Sequence, residues 1–196
     1  NPTAVASCMK HYLGYSAART GKDRTPAYIP EIELREYYLP QFAAAVKAGA
    51  STIMINSGEI NGEPVHASKY LLTTVLRKEL GFQGMIVTDW EDIIRLHTRH
   101  NVATSPRQAV AMAINAGIDM SMVPGDFSFY DLLLEAVKKG EVPMSRVDDA
   151  VKRILLLKYT LGLFDNPYPE AAAKNNFGKP SYQALALDAA HESMTL

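Results

Sequence analysis

The chemistry in this chain is concentrated in a few acids, one lysine–histidine pair and a single indole. Asp89 and Trp90 close the stretch Gly81-Phe82-Gln83-Gly84-Met85-Ile86-Val87-Thr88-Asp89-Trp90, and Trp90 is the only tryptophan among 196 residues. An acid at the carboxyl end of a short apolar run can act as a nucleophile or stabilise a developing positive charge. An adjacent indole can stack on the face of a pyranose. A structural reading competes with this one. Thr88-Asp89-Trp90-Glu91 matches a capping box, with Thr at the N-cap and Glu three residues later, and a lone Trp is often core filler. Capping by Thr88 leaves the Asp89 carboxylate free, so the two readings are compatible.

Lys10 and His11 end another apolar run. Adjacent residues on a strand face opposite ways, so both reach one site only where the strand ends or bulges. Lys10 is a solvated strand end, a ligand for substrate, or the Schiff-base amine of a barrel lyase. His11 is a ligand or a hydrogen-bonded core histidine. Arg19, Lys22, Asp23 and Arg24 follow in a loop, as donors to hydroxyl groups or as charged surface. Glu91, Asp92 and Arg95 lie just beyond Asp89, on a helix whose first turn borders any cleft there. His97 and His100 are spaced i, i+3, yet no nearby Cys or His completes a metal site. Asp89, Glu91 and Asp92 are interrupted by Trp90 and lack a phosphate loop, which argues against Mg²⁺. No metal ligand and no cofactor is expected. Residues 56–64, with Asn61-Gly62 and Glu63-Pro64, read as a tight polar turn after a strand. Asp119 falls inside an apolar run and should therefore be paired.

The elements that position these residues alternate. Short apolar runs at 5–11, 52–56, 85–88 and 118–122 read as strands covered on both faces. Helical spacing covers 31–48 (with Pro40 as a break or kink), 69–80, 106–116, 130–139 and 145–161. Three helices end in a glycine, Gly49, Gly81 and Gly117, and each is followed closely by a strand. Such alternation predicts an α/β fold with a parallel sheet and right-handed crossovers. A full (β/α)8 barrel needs eight strands and about 250 residues, so four units make half a barrel with two open edges. A doubly wound sheet is the other reading, but no Gly-x-Gly-x-x-Gly loop supports a nucleotide site in it. After Leu163 the texture changes. Residues 164–180 read as a linker, and 181–196 as the opening helix of a further domain.

Composition narrows the function classes. The chain is 47% hydrophobic and 21% charged, with net charge -1 and no basic tract, so nucleic acid is an unexpected partner. No apolar run is long enough to span a membrane, and the start does not resemble a signal peptide. The chain opens Asn1-Pro2 and is read as a piece of something longer. The single Cys8 excludes an internal disulfide and reads as a small buried residue.

Taken together, these motifs resemble the family 3 glycoside hydrolases, in particular their β-glucosidase branch. Lys10-His11-Tyr12 is similar to the family's Lys-His-Phe strand end, and Asn61-Gly62-x-Pro64 to the loop after the next strand. Residues 81–90 resemble its nucleophile signature. Ala116-Gly117-Ile118-Asp119-Met120 and Lys158-Tyr159-x-x-Gly162-Leu163-Phe164 also match. The resemblance implies the second half of a TIM-like (β/α)8 barrel over residues 1–163, a linker over 164–180, and the start of an α/β sandwich domain over 181–196. It implies retaining, exo-acting hydrolysis of β-glycosides, with Asp89 as nucleophile. Lys10 and His11 would bind sugar hydroxyls, and Trp90 and Arg95 would line the aglycone side. Lys10 is also expected to hold Asp89 ionised by lowering its pKa. The acid/base would lie on the following domain, and further sugar ligands upstream of Asn1. The partners implied are an oligosaccharide or β-glycoside and the remainder of the same polypeptide, in a periplasmic or secreted location. The isolated chain would be inactive, a scaffold or half-barrel. Two departures stand out. The loop at Ser57 lacks a tyrosine found in many members. Lys10-His11-Tyr12-Leu13-Gly14-Tyr15 lacks the second histidine of the N-acetylglucosaminidase branch, which argues against that activity.

Overall fold

The computed structural model describes residues 5–195, so residues 1–4 and 196 of the expected spans, including the Asn1-Pro2 opening, lie outside the described residues. Two compact units are separated, one within Asn1–Leu161 and one within Gly162–Leu196.

In the first unit the strands are β1 (Cys8–Tyr12), β2 (Thr52–Ile55), β3 (Glu59–Ile60), β4 (Glu63–Pro64), β5 (Met85–Trp90) and β6 (Met120–Met122). Its helices are α1 (Glu31–Glu33), which runs into a π-turn over Leu34–Tyr38, then α2 (Pro40–Lys47), a π-helical segment over Tyr70–Glu79, α3 (Asp92–Thr98), α4 (Pro106–Ala116), α5 (Ser128–Lys138) and α6 (Met144–Thr160). Pro40 divides the expected 31–48 helix. It lacks a donor and is accepted only at the first turn, where it starts α2. α4 shows its limits in sequence. Ser105 accepts from the Gln108 N–H at 3.2 Å, Pro106 occupies the first turn, and Gly117 ends the helix at φ +132°.

Four strands form one parallel sheet in the order β1-β2-β5-β6. Each new strand is added beside the last, with a helix-bearing crossover between, as short buried β-branched runs separated by helices require. Ile53 pairs with Ile86, and both are fully buried, with Ile55, in a core shared with Leu72, Val75, Leu76, Ala109, Ala113 and Ile114. Burying each Ile or Leu contributes about 1.5–3 kcal/mol. Side chains alternate along a strand. Met54, Val87 and Met120 therefore fall on the other face, outside that core cluster, and Met120 is 43% exposed. β3 and β4 pair antiparallel around Asn61-Gly62, both at positive φ, which is the backbone a two-residue hairpin turn demands.

Several expected limits shift. β1 begins at Cys8 and reaches Tyr12, and Cys8 is exposed, not buried. β6 begins at Met120 because Asp119 is drawn into ion pairs beneath it. β5 extends through Asp89 and Trp90, so Thr88 is a strand residue and the capping box does not form. α3 starts at Asp92 after Glu91 in a left-handed conformation, with no side-chain cap. Thr88 Oγ1 instead accepts the Met122 N–H at 2.8 Å, tying β5 to β6.

In the second unit, a short 3-10 segment (Ala171–Asn176) precedes α7 (Pro180–Glu192), and neither has a buried residue. No helix among the described residues is long and apolar enough to cross a membrane.

Candidate active site

Ligands of parallel α/β sheets bind at the carboxyl ends of the strands. At that end β1 and β5 carry Lys10, His11, Asp89 and Trp90. Both strands are irregular there. The β1–β2 register shifts between Met9 and Tyr12, and the β5–β6 register between Val87 and Trp90. Bulges re-aim side chains, and this one brings His11 Nε2 to 3.7 Å from Asp89 Oδ2.

The loops complete the site. Asn56 donates its N–H to Tyr12 O at 2.7 Å and its side-chain amide to Leu13 O at 2.8 Å. Its Oδ1 accepts from Gly58 N at 2.7 Å, which turns the chain and delivers Ser57 to Asp89. Asn61 grips Ile29 through both ends of its amide, at 2.8 Å each, and the Ala27 N–H donates to Glu59 O at 2.9 Å. These bonds strap the loop after β1 onto the β3–β4 hairpin, and that loop carries Arg24 to 3.5 Å from Asp89 Oδ2. His100 Nδ1 meets Glu59 Oε1 at 2.5 Å and holds the hairpin from the other side.

Both oxygens of Asp89 are engaged. Oδ1 accepts from the Trp90 N–H at 2.6 Å, and Oδ2 from Ser57 Oγ at 3.1 Å and from Arg24. Burial pushes the Asp89 pKa up. The Trp90 N–H, the Ser57 hydroxyl, Arg24 and His11 outweigh it, so the group ends below the ordinary aspartate range. The carboxylate is ionised at neutral pH. The direction expected from Lys10 is therefore found with different agents. Lys10 is exposed, and no ion pair among the described residues joins it to Asp89. His11 is held below its ordinary value by burial first and by Lys10 next, and its ring lies 4.6 Å from that of Tyr15.

Asp92 lies behind Asp89, with its side chain 1% exposed. It meets Ser57 Oγ, the Arg95 guanidinium at 3.3 Å and His66 Nε2 at 3.7 Å. Arg95 also faces Glu91 at 3.8 Å, so it belongs to this acidic pair as well as to the rim. Burial pushes His66 down to about 4, against the opposing pull of Asp92. Trp90 is 48% exposed. Among the described residues no cluster of three or more His, Cys, Asp or Glu stands in a metal-binding arrangement. His97 Nδ1 faces Ala103 O at 2.9 Å, away from His100's partner.

The pattern of the Glycosyl hydrolase family 3 N terminal domain matches residues 1–157. The chain belongs to that family. It is 54% identical over 198 residues to a lysosomal beta glucosidase of Dictyostelium discoideum, covering 100% of this chain and 24% of that protein. It is 37% identical over 199 residues to a beta-xylosidase of Formosa agariphila, covering 98% of this chain and 28% of that protein. A solved β-glucosidase from Erythrobacter marinus superposes with a TM-score of 0.88 at 36% identity, covering 96% of this chain and 25% of that one. The chain thus spans about a quarter of the length of these relatives.

For this family 3 member, spacing alone did not expose Ser57 as a companion of Asp89, because it sat in a turn with no chemical mark. Asp92 was placed near Asp89 on a helix bordering the cleft, but nothing local showed that it would be buried behind it. Arg24 was one of four charges in a loop. The one usable signal was the Asn61-Gly62 hairpin, which fixes where that loop is strapped.

Proposed function

We propose that the complete protein hydrolyses terminal non-reducing β-D-glucosyl, or related β-glycosyl, residues by a retaining mechanism with Asp89 as nucleophile. The observation that carries this reading is an ionised carboxylate at the carboxyl end of β5, with donors on both oxygens, beside a half-exposed indole. The relatives support the substrate class. They are named β-glucosidases and β-xylosidases, and a β-glucosidase from Listeria innocua, 30% identical over 90% of this chain with a TM-score of 0.84, was solved in complex with glucose.

Asp89 attacks the anomeric carbon, forms a glycosyl ester and is released when water attacks that carbon. The donors on Asp89 are preorganised for the return of its charge. His11, Lys10 and Arg24 face the sugar hydroxyls, with Trp90 and Arg95 on the aglycone side. Retaining enzymes place a second carboxyl about 5–5.5 Å from the first. Asp92 is too deeply buried to reach a substrate, and Glu59 is bound to His100. As the family resemblance implies, the acid/base comes from the following domain, and the isolated chain is inactive.

The sheet order supports the second half of a (β/α)8 barrel over 1–163. It never reverses direction, as a doubly wound sheet does at its switch point, and the face bearing Met54, Val87 and Met120 awaits the other half. The unit boundary at Leu161 and Gly162 supports a linker over 164–180 and a further domain beginning at 181. The lysosomal relative and the periplasmic beta-glucosidase of Salmonella typhimurium support a location outside the cytosol, periplasmic or secreted in a bacterial setting. A Schiff-base lyase is disfavoured. The relatives reported above are named β-glucosidases and β-xylosidases.

Asp89→Asn in the full-length polypeptide tests the reading. Turnover should fall by about 10³ or more while sugar binding persists. A loss under about tenfold would make Asp89 structural.

A further inference from the structure

Ser57 stands between two carboxylates with one proton to give. Its side chain is buried, Asp89 Oδ2 lies 3.1 Å from its Oγ, and Asp92 Oδ2 is on the opposite side within hydrogen-bond contact. A hydroxyl donates once, so it satisfies one carboxylate at a time. Asp92 is fixed on its far oxygen by Arg95 at 3.3 Å. His66 Nε2 lies 3.7 Å from the oxygen that meets Ser57, is buried, and has no hydrogen-bond partner among the described residues. The Asp92 oxygen that faces Ser57 is thus a standing competitor for the proton that Asp89 uses.

We propose that Ser57 is a positioning residue whose hydroxyl proton is shared between Asp89 and Asp92, turning from the first to the second as Asp89 loses its charge. The proposal rests on Asp89 being the nucleophile. In glycosylation an Asp89 oxygen bonds to the anomeric carbon. The bond from that carbon to the leaving oxygen breaks, and the leaving oxygen takes its electron pair and a proton from the external carboxylic acid. Asp89 becomes a neutral ester, and the Ser57 O–H rotates toward Asp92, which is still charged. In deglycosylation water attacks the same carbon and gives its proton to the external carboxylate. The bond to Asp89 breaks, its electron pair returns to the carboxylate, and Ser57 swings back to receive it. The proton stays on Ser57 throughout. Asp92 therefore keeps Ser57 from over-stabilising the free nucleophile, and Ser57 assists Asp89 as a leaving group.

Two variants of the full-length enzyme should move its behaviour in opposite directions. Ser57→Ala removes the donor, so the acid limb of kcat/KM should move up by about one pH unit. kcat should fall about tenfold, with kcat/KM changed less than about threefold, because the leaving carboxylate loses its donor in deglycosylation. Asp92→Asn keeps an oxygen for Arg95 and turns an amide donor toward Ser57, which forces the hydroxyl onto Asp89. The acid limb should move down. Combining them is decisive: with Ser57→Ala already present, Asp92→Asn should move the limb down much less than it does alone, because only the loss of the Asp92 charge remains. Asp92→Ala also removes the competing acceptor, and it serves if the amide variant does not fold. Additive shifts in the double variant, an upward shift from Asp92→Asn, or an unmoved limb in Ser57→Ala would overturn the proposal. If Asp89→Asn itself retains turnover within tenfold, the nucleophile reading fails. If that variant is inactive and the double-variant shifts are additive, only the Ser57 proposal fails.

Discussion

Replacing Asp119 with Ala should cost this protein about 3–5 kcal/mol, the range for removing one partner of a buried ion pair. The Asp119 side chain is fully buried. It receives Arg77 at 2.6 Å, Arg146 at 2.7 Å and the Ile86 N–H at 2.9 Å, with Arg153 at 3.9 Å. Truncation leaves two largely buried guanidiniums facing each other and orphans a strand N–H of β5. The charge-assisted bonds alone are worth about 1.5–3 kcal/mol each, and the whole is less than their sum because they share one carboxylate. At about 2–4 °C per kcal/mol for a domain of this size, the transition of the domain should fall by about 10 °C. Thermal melts of the full-length polypeptide, followed by near-ultraviolet circular dichroism, read this directly. A fall of less than about 2 °C would show that solvent reaches the arginines and that the buried-charge reasoning is wrong.

Trp90→Ala should raise KM about tenfold while leaving the melt within about 1 kcal/mol, because the indole is half exposed; a large stability loss with unchanged KM would make Trp90 core filler. His66 predicts a pH dependence of stability. The folded state keeps it neutral down to about 4, whereas the unfolded chain takes a proton near 6.5. Its contribution is therefore complete above pH 6.5 and is lost as pH falls towards 4, by about 3 kcal/mol at 1.36 kcal/mol per decade. Urea unfolding at several pH values should show His66→Gln less acid-sensitive than the parent, and equal slopes would refute it.

What could be read from sequence was what is local. The ends of α4 were legible in Pro106 and Gly117, because helix starts and stops are set within one turn. β2 was legible as a continuous apolar run bounded by turn residues. Asp119 was legible as a paired acid because an unpaired one is too costly in an apolar run, but Arg77 and Arg146 lie 42 and 27 residues away and nothing local marks them. The Thr88 capping box failed for the same reason. Its hydroxyl was claimed by the Met122 N–H, 34 residues off, and a tertiary bond overrode a local one. The 69–80 helix was found with its π geometry hidden, since apolar spacing near 3.6 does not reveal a widened turn. At the candidate site, Asp89, Trp90 and His11 stood out by type and position. Ser57 and Arg24 did not, because only the folded hairpin and the strapped loop bring them to the carboxylate.

Trapping is the most direct test of Asp89 as nucleophile. The full-length enzyme, incubated with a 2-deoxy-2-fluoro-β-glucoside bearing a good leaving group, should stall as the covalent glycosyl-enzyme. Peptide mapping by mass spectrometry should find the fluorosugar on the peptide containing Asp89, joined to that side chain. Attachment to any other residue, or inhibition that leaves no covalent sugar, would contradict the account.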